Sequence, residues 1–308
     1  MLNFKNIEID DIDIYREFTG KTCEFSCESS FVNLLVWQCA YSNMMAVFDG
    51  QLFIKSGKGD KESFRLPIGG NVLEGIEKIK EYCGGKYPDF WIQQGENLDN
   101  AREFLEAHYD MNLSRDAFDY IYLQSDLAEL KGKKYHSKRN HISAFSKKFD
   151  WVYEDITADN LDQVRECASL WYAENVDKED FYLLCEKKGI EKILSLMDRL
   201  SVKGGALRVD GKIVAFTLGT PINSEVFDVH IEKALKDYSE GYTVINREFA
   251  RQLGDYKYIN REDDMGLEGL RKAKLSYKPA ILLEKYHCRK KVNKYGFCMQ
   301  KSIQNGFS

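Results

Sequence analysis

Ala206-Leu207-Arg208-Val209-Asp210-Gly211-Lys212-Ile213-Val214-Ala215-Phe216 reads as an apolar strand, an Asp-Gly turn and a second apolar strand. Asp-Gly accepts the positive φ angles that a two-residue hairpin turn imposes, so the pattern is a strong local hairpin signal. The same pattern stands earlier in the chain as Met45-Ala46-Val47-Phe48-Asp49-Gly50-Gln51-Leu52-Phe53-Ile54. Two copies of one hairpin unit in 308 residues, a length that suits two ordinary domains, predict two copies of one fold.

Working outward, helical stretches precede each hairpin, Phe31 to Cys39 in the first half and Asp159 to Asn175 with Asp180 to Leu200 in the second. After the first hairpin the patterning predicts strands over Ser63–Leu66, Phe90–Gln93 and Ala117–Leu123, and helices over Val72–Tyr82 and Leu98–Ala107. After the second it predicts strands over Glu225–Ile231, Tyr256–Ile259 and Ala280–Lys285, and a helix over Tyr242–Leu253. Hairpins joined to strand-helix-strand units give an α/β (α+β) fold in which each half is a mixed, mostly antiparallel sheet flanked by helices. The expected limits are a first domain over 1–130, serving as scaffold, a basic linker helix over 131–149, a second domain over 150–287 and a poorly ordered basic tail over 288–308 that includes Lys294.

Composition excludes several classes. With 44% hydrophobic residues the chain can bury a full core, and 44 Lys and Arg against 49 Asp and Glu give no global attraction to a polyanion, so such a site must be local. No apolar run is long enough to cross a bilayer and the N-terminus lacks a signal-peptide core, so a cytoplasmic protein without an integral membrane segment is expected. Eight scattered cysteines without a Cys-x-x-Cys pair are expected to be reduced thiols. No Gly-x-Ser-x-Gly elbow, Walker A loop or Rossmann fingerprint is present.

Two charged segments stand out. Lys131 to Phe149 holds seven Lys or Arg and no acid, with Tyr135, Ile142, Phe145 and Phe149 at helical spacing, which predicts an anchored basic helix. Asn260-Arg261-Glu262-Asp263-Asp264-Met265-Gly266-Leu267-Glu268-Gly269-Leu270-Arg271-Lys272-Ala273-Lys274 follows a predicted strand, and brings acids and then bases to a strand end, where open α/β sheets place substrate.

The basic helix Gly132 to Asn140, the strand Phe227-Asp228-Val229-His230-Ile231-Glu232-Lys233-Ala234 and the segment Glu262 to Lys274 together resemble the DUF2156 proteins, relatives of the soluble C-terminal part of bacterial phosphatidylglycerol lysyltransferases. The resemblance covers nearly the whole chain, and its last motif is the most specific. It implies a tandem of GNAT-like (acyl-CoA N-acyltransferase) folds, also used by the Fem peptidyltransferases that take amino acids from aminoacyl-tRNA. The lysyltransferases carry a large multi-helix membrane part and these residues do not, which argues against a lipid acceptor.

Transfer of an acyl or aminoacyl group to an amine needs an anion cradle, a base and donors for the developing oxyanion. Lys236-Asp237-Tyr238-Ser239-Glu240-Gly241 stands where the GNAT-like fold would cradle a pyrophosphate, with Lys236, Ser239 and Gly241 as candidate contacts and two opposing acids in the loop. Strand alternation puts Asp228, His230 and Glu232 on one face, with His230 or Glu232 as proton acceptor. A bare Asp-x-His-x-Glu favours no particular ion, and no metal is expected. Glu262 and Asp263 would hold the acceptor ammonium, and Arg271, Lys272 and Lys274 a substrate anion, unless these charges only brace the loop. The donor is left open between acyl-CoA and aminoacyl-tRNA, the latter drawn to Lys133, Lys134, Lys138 and Arg139, and the acceptor is a small-molecule or peptide amine. The other possibility is a non-catalytic small-ligand or peptide-binding protein on a degenerate transferase fold.

Overall fold

A computed structural model describes residues 1–20, 22–175 and 180–291. Lys294 and the rest of the expected tail from residue 292 lie outside the described residues. Fourteen strands are described: β1 (Lys5–Asn6), β2 (Met44–Phe48), β3 (Gln51–Ser56), β4 (Ser63–Phe64), β5 (Asp89–Gln93), β6 (Tyr109–Leu113), β7 (Asp119–Leu123), β8 (Trp151–Asp155), β9 (Lys203–Val209), β10 (Lys212–Pro221), β11 (Val226–Ala234), β12 (Tyr258–Asn260), β13 (Ile281–Leu283) and β14 (Lys285–Lys290). They form two seven-stranded sheets, in the orders β1-β2-β3-β4-β5-β14-β6 and β8-β9-β10-β11-β12-β7-β13.

The repeat predicted from the two Asp-Gly turns is present. β2 pairs with β3 and β9 with β10, both antiparallel, and the turn residues Asp49, Gly50, Asp210 and Gly211 have φ of 50°, 70°, 48° and 80°. Each sheet has one parallel contact, β4 with β5 and β11 with β12, crossed by the helices Val72–Tyr82 and Gly241–Gln252. The two orders correspond strand for strand except that each sheet takes one inner strand from the other half. β7 lies between β12 and β13, and β14 lies between β5 and β6. The first sheet thus crosses the expected limits at 130 and 287 and the second sheet the limit at 130, and Cys288, Arg289 and Lys290 belong to a paired strand instead of a tail.

One apolar cluster is shared by the halves, joining Phe31, Leu34, Leu35 and Leu52 to Val164, Ile190, Phe216 and Ile231. The helices Phe31–Val36 and Phe181–Ser195 pack there, and the neighbouring Cys39 and Cys185, 146 residues apart, meet as a disulfide with Cα atoms 5.5 Å apart. The expectation of reduced thiols is corrected at this pair, which only tertiary packing brings together. Separate clusters serve the first half, around Phe53, Ile76 and Phe90, and the second, around Tyr122, Phe145 and Val244. The basic helix forms as predicted over His136–Lys148, with Tyr135, Ile142 and Phe145 buried.

Candidate active site

β11 and β12 pair over three positions only, Val226 with Tyr258, Phe227 with Ile259 and Asp228 with Asn260. Beyond Asp228 the strands part, because the chain after Asn260 turns into a loop with Glu262 and Met265 in the left-handed region at φ 55° and 49°. The separated strands are bridged by side chains on both faces of the sheet.

A bulge decides which side chain goes to which face. β10 pairs Leu218 with Ile231 and then Gly219 with Val229, so His230 is an extra residue on β11. Asp228 and His230 therefore share one face, while Glu232, expected beside them, turns to the other. This corrects the simple alternation read from sequence, and Gly219 makes room for the bulge: a Cβ there would lie 2.3 Å from the Asp228 carbonyl oxygen and 2.4 Å from the Phe227 ring.

On the first face His230 Nδ1 lies 3.1 Å from Glu262 Oε1 and 3.4 Å from Asp228 Oδ2, and its Nε2 lies 2.7 Å from Thr220 Oγ1. The first half contributes here, since Asn33 Nδ2 donates to Glu262 Oε1 at 3.1 Å and Ser30 Oγ lies 3.5 Å from His230 Nε2. Asp228 is fully buried, and neither carboxylate oxygen has a hydrogen-bond partner among the described residues. Burial, then the charges of Glu262 and Asp119, push its pKa well above the ordinary aspartate value. Burial also raises Asp263 to about 6. Beside them Lys285 Nζ donates to Asp119 Oδ1 at 2.8 Å, where Cys27 N donates to Oδ2 at 2.8 Å. Burial would raise Asp119, but the Lys285 charge and hydrogen bond hold it low. This pair is structural, tying β14 to β7.

On the second face Arg261 Nη2 donates to Glu232 Oε1 at 2.8 Å, and Asn246 Nδ2 donates to Glu232 Oε2 at 3.2 Å. The Arg261 guanidinium stands 4.9 Å from the centre of the Tyr277 ring, and Lys138 Nζ lies 3.7 Å from that centre. Nη1 of Arg261 is buried without a partner among the described residues. Burial and the Arg261 charge lower Lys138 to about 8, against the pull of Glu232. Arg261 was not among the residues the sequence nominated; a single Arg beside three acids carries no signal of its burial.

The remaining nominated residues go elsewhere. Arg271 is spent on Asp264, with Nε and Nη2 donating to its two oxygens at 2.8 Å each, and on Asp116. Tyr120 Oη, Arg115 and the Gly266 amide complete the buried Asp264 site, so this loop is braced internally. Burial would raise Asp264, but these donors hold it well below the ordinary range. Lys274 Nζ donates to the carbonyls of Arg261 and Asp263, and Lys272 is exposed. Lys134 pairs with Asp126 at 2.9 Å, and Arg139 donates to the carbonyls of Leu130 and Gly132. At the expected cradle Lys236 and Ser239 are exposed, Gly241 is buried as the first residue of its helix, and the Lys236 amide already donates to the Glu174 carboxylate at 2.9 Å. In the first sheet, the region beside β4 and β5 holds a cleft lined by Glu24, Glu28, Arg65, Gln93 and Asn97.

A hairpin, a parallel pair with its crossover helix and a polar splay, present in a duplicated sheet, define a tandem protein of the GNAT-like fold; an acetyltransferase of the GNAT family from Colwellia psychrerythraea superposes with a TM-score of 0.51 at 10% identity, covering 93% of this chain and 100% of its own. The chain belongs to the family described as phosphatidylglycerol lysyltransferase, C-terminal, whose model matches residues 22–289. A conserved protein of unknown function from Bacteroides thetaiotaomicron VPI-5482 is 39% identical, with a TM-score of 0.86 over 94% of this chain and 100% of that one. The DUF2156 domain of a lysylphosphatidylglycerol synthetase described as putative, from Agrobacterium fabrum, shares 14% identity and a TM-score of 0.61 over 92% of each chain. An uncharacterized protein of Mycoplasmoides gallisepticum is 25% identical over 189 residues, 60% of each chain, so the match spans less than two thirds of that relative. Among the described residues no helix is long and apolar enough to cross a membrane.

Proposed function

We propose that this chain transfers an aminoacyl group from a charged tRNA to a small-molecule or peptide amine, in the splay between β11 and β12. The observation that carries this is the uneven charge across the splay: Asp228 and Glu262 with His230 lie on one face, and on the other the two cations Arg261 and Lys138 outnumber the one acid, Glu232, that Arg261 binds. An amine acceptor arrives as a cation and suits the acidic face. The ester carbonyl oxygen of a donor gains negative charge during transfer and its phosphates carry charge throughout, so both suit the second face, where Arg261 Nη1 is buried without a partner among the described residues while Nη2 is held by Glu232.

An acyl-CoA donor fits less well. The loop before the helix N-terminus that would receive a pyrophosphate carries Asp237 and Glu240, and its Lys236 amide is already bound to the Glu174 carboxylate, so an anion there would be repelled. A polynucleotide can instead lie along the basic helix, from the exposed Lys133 just before it to the exposed Lys147 and Lys148 in its last turn, on a chain of net charge -5. The family's description as a lysyltransferase supports an aminoacyl donor.

Calorimetric titration of the full chain with lysyl- or alanyl-tRNA at two salt concentrations, and separately with acetyl-CoA, tests this. Saturable tRNA binding that falls steeply with salt, and is lost in Lys133→Glu/Lys147→Glu, is the expected outcome. Saturable acetyl-CoA binding without tRNA binding would replace the donor. Silence from both would leave the small-ligand-binding alternative.

A further inference from the structure

We propose that Asp228, His230 and Glu262 form a binding site for a divalent cation of the zinc or manganese type. One donor atom from each of the three lies within 4.8 Å of the others. Two ligand atoms on a tetrahedral zinc, each about 2.1 Å from the ion, stand roughly 3.4 Å apart. The separations from His230 Nδ1 are 3.1 Å to Glu262 Oε1 and 3.4 Å to Asp228 Oδ2.

Two further observations point to an ion. Both oxygens of Asp228 are buried without a hydrogen-bond partner among the described residues, a costly arrangement for a carboxylate unless something else meets it. The nearby cations are committed elsewhere, Lys285 to Asp119 and Lys274 to two backbone carbonyls. His230 is also oriented as a ligand. Its Nε2 lies 2.7 Å from Thr220 Oγ1, so a proton held there leaves the lone pair of Nδ1 facing the two carboxylates, and a second-sphere partner of this kind fixes tautomer and ring.

One imidazole nitrogen and two carboxylates suit borderline and hard ions, and thiolate does not enter, since Cys27 Sγ is engaged with Asp119 Oδ1 at 3.3 Å. Three protein ligands leave coordination positions open, as catalytic centres do and closed structural ones do not. The site differs from the one the strand alternation suggested, because the third ligand is Glu262 from the loop and not Glu232. The inference does not depend on the transferase function, and a metal can be found whether or not tRNA binds. With the ion bound, Asp228 and Glu262 are neutralised, and the acceptor would enter beside it as a neutral amine and not as an ammonium held by bare carboxylates.

The test uses the full chain, stripped with chelator and titrated with MnCl2 by electron paramagnetic resonance and with ZnCl2 by equilibrium dialysis. A single tight equivalent is expected in the wild type. Asp228→Asn and His230→Ala should weaken it by at least about 100-fold, and Thr220→Val by about 10-fold. Circular dichroism of Asp228→Asn, a near-isosteric change, separates ligand loss from unfolding. Absence of a tight equivalent in the wild type, or its retention in folded Asp228→Asn and His230→Ala, would overturn the proposal.

Discussion

At the scale of single residues, Glu262 shows how function and backbone are set against each other. A non-glycine residue in the left-handed region costs about 1–2 kcal/mol, and the loop holds Glu262 at φ 55° by donating its amide to Asn260 Oδ1 at 2.7 Å and accepting from the Tyr120 amide at its carbonyl. Glu262→Gly and Glu262→Ala both remove the side chain, yet only alanine keeps the backbone cost. The glycine variant should therefore be more stable than the alanine variant by about 1 kcal/mol in urea denaturation, and equal stabilities would show that the loop is unstrained. Lys138 gives a pH signature. Its folded pKa of about 8 lies below the ordinary lysine value, so above about pH 8 the folded chain releases a proton that the unfolded chain keeps, and stability rises with pH toward 10.5. Lys138→Met should flatten that rise; an unchanged slope would mean that Lys138 titrates normally. Neither behaviour was legible in the sequence, where Lys138 is one of seven basic residues and Glu262 one of three successive acids.

At the scale of elements, the β11 bulge and the braced loop position the site. Gly219→Ala puts a methyl into the Asp228 backbone and the Phe227 ring, and should lower stability by about 1–3 kcal/mol. Stability within a few tenths of wild type would show that the bulge can relax. Asp264→Ala should cost about 3 kcal/mol, because it strands Tyr120, Arg115 and Arg271 around a vacated carboxylate; a loss under 1 kcal/mol in thermal or urea unfolding would count against internal bracing. Elements whose patterning is local were legible: the helix over Val72–Tyr82 and both hairpins appear where predicted. β6, β8 and β14 were not. Their sequences, such as Tyr109-Asp110-Met111-Asn112-Leu113, mix polar and apolar residues at edges or exchanged positions where partners, not propensity, make the strand. The bulge escaped for a related reason: alternation is a property of one strand, and an extra residue is defined only against its neighbour.

At the scale of the whole molecule, strand exchange makes the halves interdependent. The second sheet has β7 from residues 119–123 between its own strands, and the first has β14 from 285–290, with the buried Lys285 to Asp119 pair at the crossing. Residues 1–130 and 150–291 produced separately should each be unfolded by circular dichroism, and a cooperative transition in either alone would contradict the exchange. The Asp-Gly repeat revealed the duplication, while the exchange was hidden because pairing between strands more than a hundred residues apart leaves no periodicity. The candidate site was legible in part: His230 and Glu262 meet, Glu232 faces away, and Ser30, Asn33 and Arg261 arrive from places that only the assembled fold unites. Transfer itself is the direct test of the splay between β11 and β12 as an active site. The full chain would be incubated with tRNA carrying radiolabelled amino acids and with amine acceptors, and label followed from tRNA into product. Time-dependent transfer that is lost in His230→Ala and in Arg261→Met, both verified as folded, is the predicted result. Transfer that persists in both folded variants, or its absence in a wild-type chain that binds the charged tRNA, would contradict it.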